Sequence, residues 1–404
     1  MKIIVTMDWG NRPEMVGTLE VFRTRGAENY QFTYARQWCE HGFQIDPALN
    51  LVPDFVHHSQ HLPGAFQDIS PDRWGRMVQQ RAGSGFLSEA DYLLGVSDLM
   101  RMGALRLSEA GRPEIFLADN CNVPKLVDIR ALEEASRRLE KGLETEEDVR
   151  QLLGPGTSLG GARPKAGVED GGTLYLAKFP SNLDTERVSA WEATMLDLAG
   201  KAGIAVARHR LLNKGDARPI LLLERFDRDG TGGRIPFASA MTLTGLSDGE
   251  RASYGELASV VSSFSEQVRE DSLELWRRMV FNAMTGNTDD HLRNHAFLRS
   301  HQGWRLSPAY DLTPSHEPFE RRAHALAFLP GESRPSLALC KEMAAFFNLD
   351  KNMVAHTLQR IGAALAQWRQ VARQNGLTES EIQRKAAAFE HADSARLMAL
   401  PSAC

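Results

Sequence analysis

Cysteine is scarce in this chain, with four among 404 residues, at Cys39, Cys121, Cys340 and Cys404, and no CxxC pair. That spacing excludes a disulfide frame or a zinc knuckle and predicts free thiols in a reducing compartment. A strong charge of either sign is also missing: 47 Lys and Arg against 52 Asp and Glu leave a formal net charge of -5. Direct nucleic-acid binding would then need a local patch or a basic partner. No apolar run is long enough to span a bilayer, and the opening "MKIIVTMDWGNRPE" lacks the apolar stretch of a secretory leader. The expectation is a cytoplasmic protein with no membrane insertion. Internal repeats and low-complexity tracts are absent as well.

What is present is the composition of a folded soluble protein, 42% hydrophobic and 25% charged. A chain of 404 residues exceeds what one core usually serves, so two or three packed units are expected. The first hundred residues carry strand-like runs ("KIIVTM", "GTLEVFRT", "NYQFTYA") and then a helix at "DRWGRMVQQRAG". From Asp128 to Leu153 charges and leucines follow helical spacing up to the stop at Gly154, Pro155 and Gly156. "TLYLAKFP" and "PILLLERFD" read as strands around a helix at "ERVSAWEATMLDLAGKAG". Beyond Tyr254 the pattern is helical, and Val354, Leu358, Ile361, Leu365 and Trp368 repeat at threes and fours as one amphipathic helix. The expected division is a β-rich domain over 1–110, a mixed α/β lobe over 111–235 and a helical lobe over 236–404.

The chemistry concentrates in "TGNTDDHLRNHAF", residues 285–297, which sets two aspartates, two histidines and two asparagines behind an apolar helical run. Asp289 precedes Asn294 by five positions, and Asp311 follows in "LSPAYDLTP". Phosphoryl transfer needs such a set: one carboxylate to orient the attacking hydroxyl, and an amide oxygen and a second carboxylate to hold Mg²⁺. Kinase catalytic loops use this five-residue offset. A polar loop that only satisfies backbone groups has the same composition. Zinc hydrolysis through His291 and His295 is the other alternative, weakened because Leu292 stands where a zincin has its glutamate.

"GPGTSLGGARPKA", residues 154–166, can turn backbone N–H groups to phosphate, though it is neither a Walker A loop nor GxGxxG and could equally be a connector. Lys178 ends the next apolar strand, where kinases bring an ammonium to the nucleotide, and Glu192 on the following helix could pair with it. Glu224, Arg225 and Phe226 close the strand "LLLERFDR", where backbone groups could bond an adenine edge. "DRDGTGG" has Ala238 where a calcium loop needs glutamate, and reads as a turn.

These residues resemble the HipA-like serine/threonine kinases, toxins of bacterial type II toxin-antitoxin modules. "GAFQDISPDRWGRMV" and "MGALRLS" are similar to the family's N-terminal domain, and "SLGGARPKA", "AKFP", "ERFDR", "NTDDHLRNHAF" and "LSPAYDLTPS" to its kinase core. The resemblance implies an α+β, bilobal protein-kinase-like fold with an additional β-rich N-terminal domain, using ATP and Mg²⁺. It implies Asp289 as base, Asn294 and Asp311 as magnesium ligands, and Lys178 on ATP. His291 and Tyr310 would lie beside the nucleotide, with Glu224, Arg225 and Phe226 as the adenine hinge. Gly160, Gly161, Ala162, Arg163, Pro164 and Lys165 would form the phosphate-covering loop. Ser158 matches the serine that the family autophosphorylates. Partners implied are a small helix-turn-helix antitoxin of the HipB kind, DNA mainly through that antitoxin, and a protein substrate, with aminoacyl-tRNA synthetases among the family's known targets. The alternative is a kinase-shaped co-repressor that acts through its antitoxin.

Overall fold

The computed structural model describes residues 1–9, 12–24, 27–83, 85–118, 123–155, 161–247 and 249–401. The chain divides into two compact units: Met1–Leu183 with Glu224–Ala238, and Asp184–Leu223 with Ser239–Cys404. Among the described residues no helix is long and apolar enough to cross a membrane.

The first unit is built on a six-stranded antiparallel sheet in the order β4-β3-β2-β1-β5-β6. Its strands are β1 (Lys2–Trp9), β2 (Arg12–Thr24), β3 (Ala27–Tyr34), β4 (Val56–Ser59), β5 (Leu105–Glu109) and β6 (Arg112–Phe116). Alternation explains the sheet's face: Tyr30, Phe32 and Tyr34 in β3 are buried, while the residues between them are partly open. Phe32 packs against Phe66 from α2 (Gly64–Gln67), with ring centroids 5.6 Å apart. A short helix α1 (Arg36–His41) precedes β4, and α3 (Arg73–Ala82) and α4 (Glu89–Leu94) precede β5.

The single helix expected from Asp128 to Leu153 is in fact two, α5 (Ile129–Glu140) and α6 (Glu146–Leu153). Gly142 turns to φ 67° after α5, and Thr145 starts α6 through a capping box with Asp148. These caps outweigh a leucine spacing that runs through both. β7 (Lys165–Asp170) and β8 (Thr173–Lys178) then form an antiparallel hairpin with Lys165 opposite Lys178.

The second unit is mainly helical. It contains α7 (Val188–Lys201), β9 (His209–Leu212), its antiparallel partner β10 (Ile220–Glu224) up to Leu223, and, after β11 (Phe237–Ser239), α8 (Ala240–Thr244), α9 (Tyr254–Phe264) and α10 (Val268–Thr285). An antiparallel hairpin follows as β12 (Ala296–Arg299) and β13 (Trp304–Leu306). Five helices complete it: α11 (Leu337–Met343), α12 (Lys351–Leu365), α13 (Trp368–Gln374), α14 (Glu379–Phe389) and α15 (Ala392–Met398). Trp368 opens α13 and does not end α12, a second place where one periodic run covers two helices. It stacks on Phe389, centroids 4.5 Å apart, and Phe389 stacks in turn on Trp191. Buried α10 lies at the centre, its Trp276 indole donating to the Cys340 carbonyl at 2.8 Å.

Candidate active site

In the second unit the helix α10 ends at Gly286, whose φ of 67° and N–H bond to the Asn282 carbonyl form a left-handed cap. The cap releases the chain into an irregular loop over residues 287–291, in which Asp289 is exposed while Asp290 is buried. Asp290 accepts hydrogen bonds from the Tyr254 hydroxyl, from Asn282 Nδ2 at 2.9 Å and from His295 Nε2 at 2.8 Å. Burial pushes its proton affinity up, but His295 and these donors reverse the sign and hold the carboxyl below its ordinary value. Asp290 thus anchors the loop, a function that the sequence reading did not assign to it.

Asn294 closes the loop from the other side. It lies on a short 3₁₀ turn, Leu292–Asn294, and its Nδ2 donates to the Asp289 carbonyl at 2.9 Å. With the amide nitrogen so committed, Oδ1 is the end turned to other partners. The Asp289 carboxyl is held above its ordinary pKa: desolvation raises it, His291 opposes, and the Asp311 and Asp290 carboxylates add to the rise. Asp289 and Asp311 are therefore electrostatic neighbours. Asp311 has φ 58°, a left-handed conformation uncommon for a residue with a side chain. Its flanks are pinned. The Tyr310 hydroxyl donates to the Arg293 carbonyl at 2.7 Å, the Thr313 N–H donates to Asn287 Oδ1 at 3.2 Å, and buried Lys385 donates to the Pro314 carbonyl at 2.9 Å.

These residues fit a magnesium ion bound through phosphates: the Asn294 amide oxygen, whose Nδ2 is held by the Asp289 carbonyl, and the Asp311 carboxylate would leave the remaining positions to oxygens of another molecule. It does not fit zinc hydrolysis. The His291–His295 interval spans a 3₁₀ turn instead of an α-helical face, and His295 is buried on Asp290. Among the described residues no group of three or more His, Cys, Asp or Glu could hold a metal ion.

The first unit carries the other predicted residues. Lys178 is buried at the end of β8. Gly161, Ala162 and Arg163 are exposed, and Pro164 and Lys165 buried; Ser158 and Gly160 lie outside the described residues. Lys165 Nζ donates to Asp72 Oδ2 at 2.5 Å and to the Gly161 carbonyl at 2.9 Å. Glu224 and Phe226 are half-buried on one side of the strand end, and Arg225 turns the other way. The Arg225 N–H donates to the Leu174 carbonyl at 3.0 Å, and its guanidinium is spent on Asp227 and on the carbonyls of Met100 and Arg101. An Arg225 side-chain role is thus structural. Asp72 and Asp227 were not singled out by sequence; their signal was the quoted motifs "SPDRWGRMV" and "ERFDR", in which charged residues recur without visible partners. "DRDGTGG" is a turn, as expected, with Asp229 Oδ1 accepting from the Thr231 and Gly233 N–H groups at 2.8 Å.

Comparison with known proteins places these residues in a family. The family model described as the HipA-like C-terminal domain matches residues 157–375, more than half of the chain. The serine/threonine-protein kinase toxin HipA of Shewanella oneidensis is 24% identical over 399 residues, covering 87% of this chain and 86% of that one. The Y4mE protein of Sinorhizobium fredii is 29% identical over 147 residues, 34% of this chain and 33% of that protein. The HipA structure from Shewanella oneidensis, solved with HipB and operator DNA, superposes with a TM-score of 0.68 at 18% identity and covers 98% of this chain and 96% of that one. The mixed α+β architecture is accordingly of the HipA type, and the chain belongs to the HipA-like family.

Proposed function

We propose that the protein is a Mg²⁺- and ATP-dependent protein serine/threonine kinase and the toxin of a type II toxin-antitoxin module. The observation that carries the reading is the loop 287–294, in which an exposed carboxylate of raised proton affinity stands beside Asp311 while the Asn294 amide is fixed by the Asp289 carbonyl. A relative aligned over most of this chain is named a serine/threonine-protein kinase toxin, which supports the same activity.

In this reading Asp289 orients the substrate hydroxyl and takes its proton as the oxygen bonds to the γ-phosphorus and the bond to the bridging oxygen of ADP breaks. The raised pKa suits a group that must gain a proton during transfer. Asn294 Oδ1 and the Asp311 carboxylate would hold magnesium, which when bound supplies charge to offset that developing on the phosphate oxygens. In the first unit Lys178 serves the nucleotide phosphates, with Gly160 to Lys165 as the covering loop, and Glu224 to Phe226 serve the adenine. His291 and Tyr310 border the nucleotide. Ser158 is proposed as the site of self-phosphorylation, where nearly two negative charges would be incompatible with bound ATP phosphates.

By analogy with the HipA–HipB–operator complex, we assign this chain a HipB-like helix-turn-helix antitoxin and contact with DNA mainly through it. The formal net charge of -5 agrees with an indirect DNA contact. The test is intact mass of purified protein after incubation with Mg²⁺-ATP, beside Asp289→Asn and Ser158→Ala. One added phosphate in the parent and none in either variant is expected, with Asp289→Asn still binding ATP. An unphosphorylated parent that binds ATP yet gains no mass, and labels no protein in a cell extract, would turn the assignment to a co-repressor.

A further inference from the structure

The opposed lysines of the β7–β8 hairpin pose a problem. Lys165 and Lys178 are directly opposite in register, on one face, and both are buried. Like charges so placed repel. Asp72 meets this need at Lys165: its Oδ2 takes the ammonium while its Oδ1 caps α3 through the Gly75 N–H at 2.7 Å. Trp74 in the same turn donates its indole N–H to the Lys165 carbonyl at 2.9 Å. The first turn of α3 therefore grips the point where the glycine-rich loop becomes strand β7.

A second grip lies at the hinge. Asp227, fully buried, accepts from Arg225 Nε at 2.7 Å, from Arg228 Nη1 at 2.7 Å and from the Gly103 N–H at 2.7 Å. Gly103 has φ 71°, and a Cβ there would come within 2.9 Å of Phe237 Cβ, which explains the glycine in "MGALRLS". Met100 gives its carbonyl to Arg225 and lays its side chain on Gly167 of β7, where a Cβ would sit 1.7 Å from Met100 Cε. One stretch of chain, residues 72–103, thus holds both elements assigned to ATP.

We infer that Asp72 and Asp227 are positioning residues through which the 72–103 segment sets ATP affinity. The inference rests on the kinase reading given above. It makes a prediction opposite to that of plain electrostatics. Removing a carboxylate near a site for anionic phosphates should tighten ATP binding by Coulomb's law, whereas loss of positioning should weaken it.

The experiment compares full-length parent, Asp72→Asn, Asp72→Glu and Asp227→Asn for the Kd of a fluorescent ATP analogue and for KM and kcat of phosphate incorporation. Asparagine keeps the α3 cap, since its Oδ1 still accepts from Gly75. The expected result is a rise of about tenfold in Kd and KM for Asp72→Asn, with kcat at saturating ATP within about twofold, and partial recovery in Asp72→Glu. Asp227→Asn should shift KM in the same direction. Unchanged or tighter ATP binding in Asp72→Asn, a fall confined to kcat, or an Asp72→Glu no better than the asparagine variant would each overturn the inference. Should Asp72→Asn not fold, Asp227→Asn and Asp72→Glu decide it by the same readouts. A parent that binds no ATP overturns the kinase reading and the inference with it; a parent that binds, with unmoved variants, overturns the inference alone.

Discussion

Asp289 and Asp290 are chemically identical neighbours with opposite surroundings, and their environments assign different work. The exposed one has a raised pKa, so the base role proposed for it predicts that activity falls with acidity along a limb above the ordinary aspartate range, because a base must be ionised. A pH profile of kcat/KM measures this, and the limb belongs to the Asp289 and Asp311 pair more than to either alone. The buried one is structural: Asp290→Ala strands three donors, Tyr254, Asn282 and His295, and should cost about 3–5 kcal/mol in denaturant unfolding. Sequence could single out Asp289, Asn294 and Asp311 as candidates because their spacing is that of a phosphoryl-transfer set. It could not tell which aspartate turns inward, since that depends on Tyr254 and His295 arriving from elsewhere. Nor could it find Asp72, which lies 93 positions from Lys165.

At the scale of elements, the loop's direction is set by how α10 ends. Gly286 adopts φ 67°, and a Cβ there would approach Arg322 Cζ to 2.9 Å. Gly286→Ala should therefore destabilise by about 1–3 kcal/mol and lower transfer more than ATP binding, checked by thermal unfolding beside single-turnover rates. Most elements were legible, from the strands of the first unit to the helices beyond Tyr254, because burial imposes a period on the sequence. The α5–α6 and α12–α13 breaks were not, for apolar spacing continues across both. What interrupts α5 is a left-handed Gly142 and a new cap at Thr145, short-range signals that a leucine pattern conceals.

For the whole molecule, acid should be destabilising in a defined window. The hydrogen bond from Arg187 holds Glu381 down to about 2 from an ordinary value of 4.5. A depressed carboxyl contributes stability that is fully present above its unfolded pKa and lost as pH falls towards the folded one. Asp148, bonded to Arg138, acts in the same sense in the first unit. The urea midpoint should stay level from neutral pH to about 5 and fall steadily below about 4.5, with Glu381→Gln lowering the plateau and flattening the fall. The path of the chain has another effect. The first unit is completed by residues 224–238, which follow forty residues that belong to the second. On the ribosome, Gly103 and Met100 must therefore wait for Asp227 and Arg225 before their partners exist, so the amino-terminal sheet can form early but the buried cluster around Asp227 becomes complete only after a portion of the other unit has emerged.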